Sequence, residues 1–274
     1  MVTLAFVAAA LFTALYVVAV GSADGRRIDE QLRGTELDLN DHVAGLAARI
    51  LNGFDIGFVL AATPALLLVA FVRCGVRTTL ALALALAGAV ASARLLKSLL
   101  ASADPLGGEL ARSVGSGFYP SGHATTVMAL VLAVVVLAPA TRARQLTIFL
   151  GGGVAAAVGV AHIVLDSHLP SDVVAGYLLA GGWMAAATAV VAVAREPITC
   201  GRFVRVSLAT LGLCLVIAGV CAVASSGARS MPLLGAGAVA TTAICLVAAL
   251  ATALGEADRS DSPRAGAQPA APRR

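Results

Sequence analysis

Two histidines and an aspartate stand in two short polar clusters, Tyr119-Pro120-Ser121-Gly122-His123 and His168-Leu169-Pro170-Ser171-Asp172, in a chain that is otherwise mostly apolar. Ionisable groups in apolar, membrane-like surroundings cost about 3 kcal/mol or more unless they pair or face water, so they are functional candidates first. The residue types suggest phosphate chemistry. Four residues separate His168 from Asp172, which places both on one side of a helix start, where the carboxylate can accept a hydrogen bond from one imidazole nitrogen. Such a bond fixes the tautomer and raises the nucleophilicity of the other nitrogen, which can then attack phosphorus and form a phosphohistidine that water later opens. In the first cluster, Ser121, Gly122 and His123 fall in the first turn of a helix, whose unpaired N–H groups and positive dipole end attract anions. Gly122 lets a phosphate approach the backbone, Ser121 adds a hydroxyl donor, and His123 can give a proton to a leaving alkoxide. The same residues also read as plain helix-boundary chemistry, with Ser121 as a cap and Pro170-Ser171-Asp172 as a helix start.

The elements that must position these groups are membrane helices. Of the 274 residues, 59% are hydrophobic and 12% charged, against about 25% charged in a soluble domain, and the mean hydropathy is +0.93. The expected fold is therefore all-α, a polytopic transmembrane helix bundle packed through small side chains. About eight apolar runs approach or exceed the ~18 residues a span requires: Val2 to Val20, Ile56 to Val72, Thr78 to Leu100, His123 to Pro139, Gln145 to Leu165, Asp172 to Ala194, Val206 to Ala224 and Leu233 to Leu254. The first lacks a basic start and a cleavage motif and is read as an uncleaved helix. Residues 1–254 form one integral membrane domain, and 255–274, rich in Pro, Ala, Arg and Ser, read as a disordered cytoplasmic tail.

Orientation follows the arginines. With the N-terminus inside, Arg73, Arg77, Arg142, Arg144, Arg195, Arg202, Arg205 and the tail arginines lie on the cytoplasmic side, while most acidic residues lie outside. Both polar clusters then face the extracytoplasmic side of the cell membrane. The net charge of +4 is spread over short loops, which gives no reason to expect nucleic acid as a partner. Between the first two runs lies a polar extracytoplasmic loop, residues 21–55, whose later part carries Leu39, Val43, Leu46 and Ile50 at helical spacing; a surface helix packed over the bundle is preferred to an interfacial one. The five cysteines form no CxxC pair and read as small apolar residues, and glycine clusters such as Gly151-Gly152-Gly153 read as close helix packing rather than nucleotide binding.

Lys97, then Asp104-Pro105, then Pro120-Ser121-Gly122-His123, then Ala161-His162 with His168 and Asp172 at fixed offsets closely resemble the type 2 phosphatidic acid phosphatase family. Its signature runs Lys-x6-Arg-Pro, Pro-Ser-Gly-His and Ser-Arg-x5-His-x3-Asp, and it extends to vanadium-dependent haloperoxidases. The similarity spans residues 97–172. It implies a six-helix phosphatase-like core, His168 as nucleophile, Asp172 as its orienting partner and His123 as general acid, with Lys97, Ser121, Gly122 and the substituted His162 around the phosphate. No cofactor or metal is implied. Both motif arginines are replaced, by Asp104 and by His162, which removes two paired, charge-assisted grips on phosphate. Arg112, in the loop between the first two motifs, is the favoured compensating cation, ahead of Arg94; its alternative is a solvated loop arginine.

The expected function is hydrolysis of a lipid-linked phosphate or diphosphate, polyprenyl phosphates among them, through a phosphohistidine at an extracytoplasmic site. The alternative is a catalytically weak or silent relative that binds lipid phosphates or partners another membrane enzyme. A transporter would need more polar residues at mid-membrane depth than Lys97 and His162. Neither the lipid nor the oligomeric state is legible in the chain.

Overall fold

The structure, a computed structural model, describes residues 1–32, 41–102, 119–139, 142–192 and 231–260. Every regular element among them is helical: α1 (Val2–Leu15), running on as a π-helical turn (Tyr16–Val20), α2 (Ala23–Gln31), α3 (Asp41–Gly53), α4 (Ile56–Ser102), α5 (Gly122–Leu137), α6 (Arg142–Val164), α7 (Pro170–Ala192) and α8 (Met231–Ser260). Five stretches are long and apolar enough to cross a membrane, Val2–Val20, Ile56–Leu100, Arg144–Val164, Pro170–Val191 and Leu234–Ala251, and α5 is a shorter apolar helix. The protein is an all-α, multi-pass bundle, as composition and run lengths predict.

The two expected runs Ile56 to Val72 and Thr78 to Leu100 are joined into one 47-residue element with a kink at Gly75 (φ 79°, ψ 178°). That conformation is open essentially to glycine alone, so the corner between the two spans is made by one residue, with Arg73 and Arg77 flanking it. The α5–α6 corner is closed differently. Ala138 is extended ahead of Pro139 (ψ 134°), as the residue before proline prefers, and Arg144 donates from Nε and Nη2 to the Ala138 carbonyl at 3.1 and 2.9 Å.

The centre of the bundle is α7, which packs against α1, α4, α5 and α8. Its Val173, Ala175, Tyr177, Ala180, Met184 and Ala185 are fully buried, the small ones letting neighbouring backbones come close. Tyr177 reaches across to donate to the Ala155 carbonyl of α6 at 2.5 Å, so its buried hydroxyl is satisfied.

Several expectations on the periphery change. α8 continues to Ser260, so the first residues of the expected tail, 255–260, are helical; the rest of it, the loop arginine Arg112, Asp104 and the run Val206 to Ala224 lie outside the described residues. The surface helix in the 21–55 segment is α3, which packs on α6 with Ala47 buried while Val43 and Leu46 stay exposed. α2 had no sequence expectation. Ser22 caps it, accepting from the Gly25 amide at 3.0 Å, and Asp24 sits in its first turn, both favourable to the helix dipole.

Candidate functional site

Three helix ends meet on one side of the bundle: the start of α5, the end of α6 and the start of α7. α5 begins with Ser121 as N-cap, its Oγ accepting from the Ala124 amide at 3.4 Å, while Thr125 Oγ1 returns a bond to the Ser121 carbonyl at 2.7 Å. The first-turn amides of Gly122 and His123 have no preceding turn to bond to, and a Cβ built on Gly122 would meet nothing within 4 Å. Tyr119, just before the cap, is buried. It donates to the Phe12 carbonyl of α1 at 3.1 Å and its ring lies against Phe12 and Tyr16. Burial, with the Asp172 and Asp29 charges nearby, pushes its hydroxyl pKa above the ordinary tyrosine value.

The turn from α6 to α7 sets the two other histidines. Ser167 N–H bonds to the His162 carbonyl at 3.0 Å and Asp166 N–H to the Ile163 carbonyl at 3.2 Å, with Asp166 in the left-handed region (φ 56°). This is a Schellman stop in which aspartate takes the place glycine usually holds. It folds the chain back so tightly that the His168 ring lies over His162, centroids 4.9 Å apart, with His123 on the other side at 5.5 Å. Among the described residues, the donor atoms here are not arranged to hold a metal ion.

At the start of α7, Pro170 occupies the first helical position, where its missing N–H costs nothing. Asp172 then does two things at once. Its Oδ2 accepts the Leu169 amide at 3.1 Å, the reach-back of a capping box, and the same oxygen lies 3.4 Å from His168 Nδ1. That second distance is long for a hydrogen bond, as catalytic contacts often are before substrate is bound. This aspartate therefore caps the helix and also lies beside the imidazole. The two clusters are also tied by backbone: Ser121 N–H bonds to the Asp172 carbonyl at 2.9 Å. This approach depends on Gly176, one turn along α7, where a Cβ would come within 2.7 Å of the Ser121 carbonyl oxygen and 2.9 Å of Thr125 Oγ1.

His162 stands where the resembled motif has arginine, and it is buried. Its Nδ1 is 2.8 Å from Ser167 Oγ, while Ser167 donates to the His162 carbonyl at 3.2 Å. With the hydroxyl proton used there, Nδ1 is the donor to Oγ and Nε2 carries the lone pair. Nε2 of His162 and Nε2 of His123 are both buried with no hydrogen-bond partner in the protein. Buried polar atoms seldom stay unpaired, so two of them side by side mark where a ligand's oxygens can be bound.

The structure thus brings together His123, His162, His168, Asp172, Ser121 and Gly122. Lys97 is half-buried near the end of α4, a helix that packs on both α5 and α7, and Arg94 is exposed. Asp29 of α2 was not foreseen. It is buried and accepts from Ser171, from the amide at 3.2 Å and from Oγ at 2.5 Å. Desolvation raises its pKa from 3.8 to about 6; the two Ser171 bonds pull the other way, and the Asp172 and Glu30 charges add to the rise.

Helices long and apolar enough to cross a membrane here carry a His–Asp pair at one helix start and a Ser-Gly-His start beside it, an arrangement whose donors could bind a phosphate group. Residues 78–196 match the model of the PAP2 superfamily. Through this segment, less than half of its length, the chain is similar to the type 2 phosphatidic acid phosphatase superfamily. No curated protein and no solved structure matched the chain.

Proposed function

We propose that the protein hydrolyses a lipid-linked phosphate or diphosphate at an extracytoplasmic site of the cell membrane, with His168 as nucleophile. The observation that carries this reading is the meeting of His168–Asp172, His123 and the α5 first turn within one cluster. His168 Nδ1–H points to Asp172, leaving Nε2 to attack phosphorus. The P–O bond to the lipid breaks as the P–N bond forms, and His123 protonates the leaving oxygen. Water then attacks the phosphohistidine, gives a proton to His123, and releases inorganic phosphate and free imidazole. The amides of Gly122 and His123 and the Lys97 ammonium hold the phosphoryl oxygens, the amides by direct donation and the lysine by charge. His162, with its Nε2 lone pair, suits an oxygen that carries a proton or a water molecule, a role different from an arginine fork.

An apolar groove of about 360 Å³ supports a lipid tail on the substrate. It is lined by Ala8, Phe12, Leu96, Leu178, Gly182 and Trp183 among others. Phe12 stacks on Tyr119, two residues from Ser121, and Leu96 adjoins Lys97, so the groove runs up to the phosphate-binding end.

The test is phosphate release by the purified full-length protein from polyprenyl diphosphate, phosphatidate and phosphatidylglycerol phosphate, with His168→Ala alongside. Turnover by wild type and background by the mutant are expected. Equal inactivity on every substrate would overturn hydrolysis and favour a silent binder of lipid phosphates, the outcome that the Asp104 and His162 replacements would then explain.

A further inference from the structure

We propose that Asp29 is a positioning residue for the His168–Asp172 pair, acting through Ser171 to fix the first turn of α7 and to add a second negative charge behind Asp172. The inference rests on the phosphohistidine reading above for its kinetic consequence, though not for its geometry. Asp29 lies outside the segment that matches the superfamily model, so the match carries no information about it.

The geometry is a clasp. On α2, Arg26 and Asp29 are three residues apart, share one helical face, and are both buried. Arg26 Nε donates to the Val20 carbonyl at the end of the first span at 2.6 Å. Asp29 takes both polar hydrogens of Ser171, which gives the start of α7 a cap supplied from 142 residues away in sequence. The next residue is Asp172, whose carboxylate faces His168 and whose carbonyl holds the Ser121 amide. Pinning Ser171 therefore sets the carboxylate that orients the nucleophile and also the strap to the phosphate-binding turn. The groups that Asp29 faces or lies near are Ser171 and Asp172 of α7, Tyr119, and Glu30 of its own helix. With Asp29 ionised, Asp172 has a like charge behind it, and the positive charge that develops on a phosphorylated His168 is stabilised by two carboxylates rather than one.

Asp29→Asn keeps the shape and one bond to the Ser171 amide but removes the charge. In the full-length protein it is expected to lower kcat roughly tenfold, the scale on which a displaced catalytic group shows, with KM within about twofold. The activity-independent readout is the ¹⁵N spectrum of histidine-labelled protein in micelles, with His168 assigned by its loss in His168→Gln. The wild type should show the Nδ1-protonated tautomer at His168, and Asp29→Asn a shift toward the Nε2-protonated one. Ser171→Ala, which removes only the hydroxyl contact, should move both readouts in the same direction by a smaller amount, and Ser171→Thr should restore them; this pair serves if Asp29→Asn does not fold. Unchanged ¹⁵N shifts overturn the proposal, whether kcat is unchanged or falls with thermal stability, since the latter marks a merely structural contact. Shifted ¹⁵N signals in a protein that releases no phosphate sustain the positioning role and overturn the phosphatase reading instead.

Discussion

α7 and α4 both span the bundle and both carry site candidates near the same end, yet they are built in opposite ways. In α7, 61% of the most apolar 18-residue stretch is buried, whereas the half of α4 that carries Lys97 buries, among the described residues, only Leu82, Ala85, Leu86, Ala89 and Ala93. α7 starts with Ser171 and Asp172 buried, the Ser171 amide and hydroxyl bonded to Asp29 and Asp172 Oδ2 meeting the Leu169 amide and His168 Nδ1. α4 reaches its end with Arg94 exposed and Lys97 half-buried. The difference separates two jobs. On the proposed reading, a nucleophile and its carboxylate work only at fixed distance and sit at the start of the buried helix, whereas a cation that attracts phosphate acts over several ångströms and tolerates a looser setting.

The largest expected effect breaks the buried side of this comparison. Asp172→Asn leaves a side chain of the same size but gives His168 a partner without charge and with donors facing it. By analogy with other histidines that lose such a partner, kcat should fall about 10³-fold with little change in KM. An unchanged kcat with a lowered thermal midpoint, measured on any phosphate ester the protein turns over, would mean that Asp172 is only the helix cap.

Next comes the buried charge behind it. Asp29 has its pKa raised from 3.8 to about 6, mainly by desolvation, so the folded protein holds this proton more tightly than the unfolded chain. The group's contribution to stability is fully present below about pH 4 and is lost as pH rises through about 6, up to about 3 kcal/mol at the ~1.4 kcal/mol per unit that links pKa to stability. Asp29→Asn does not titrate. Its thermal midpoint in detergent should therefore gain on the wild type between pH 4 and pH 7, and parallel curves across that range would show that the carboxyl is solvated.

Two glycines give the comparison its sharpest form. A Cβ at Gly176 would fall 2.7 Å from the Ser121 carbonyl oxygen, and one at Gly88 would fall 2.6 Å from a Trp183 ring carbon. The first neighbour is backbone that carries the strap to Asp172. The second is an indole 37% exposed at the surface, held by one bond from Nε1 to Ser92 Oγ at 3.1 Å. On a soluble phosphate ester that does not occupy the apolar groove, Gly176→Ala should cost up to about a hundredfold in kcat/KM, as a shift near 1 Å does, while Gly88→Ala turns the indole aside and changes kcat/KM less than about twofold. Equal effects would mean that α5 and α7 are not held in register.

What the sequence reveals follows the same division. Run lengths and composition are enough to expect membrane helices, because spanning requires ~20 apolar residues whatever their order, and Ser121 and Pro170 mark two helix starts because caps are local chemistry. His168 and Asp172 are legible as a pair since their spacing is a helical one. The kink at Gly75 is also local but hidden, as nothing in Val72 to Thr78 distinguishes a glycine corner from a short loop. Asp29 could not be found this way. Its partner is 142 residues distant, and its only local signal is Arg26 and Asp29 on one face of a short polar helix, a pattern usually explained by solvent. Asp166 carries no local sign of its part either: its left-handed backbone makes the turn that brings the His168 ring edge-on to His162.

The smallest effects belong to α4 and decide whether its charges form part of the site at all. Lys97 is half-buried near the end of a helix that packs on α5 and α7, and its four-carbon stem can carry the ammonium toward headgroup level. If it neutralises phosphate without a fixed geometry, Lys97→Ala should raise KM roughly tenfold and leave kcat within about threefold, and Lys97→Arg should recover most of the loss because charge alone is required. Arg94, one helical turn earlier and exposed, should show less than a twofold change on Arg94→Ala. The decisive measurement is the salt dependence of KM for both variants with a soluble phosphate ester, since an attraction of this kind weakens as ions screen it. A Lys97→Ala loss that falls on kcat and ignores salt would place that ammonium in the same rigid machinery as Asp172, and the division of labour between α4 and α7 would have to be given up.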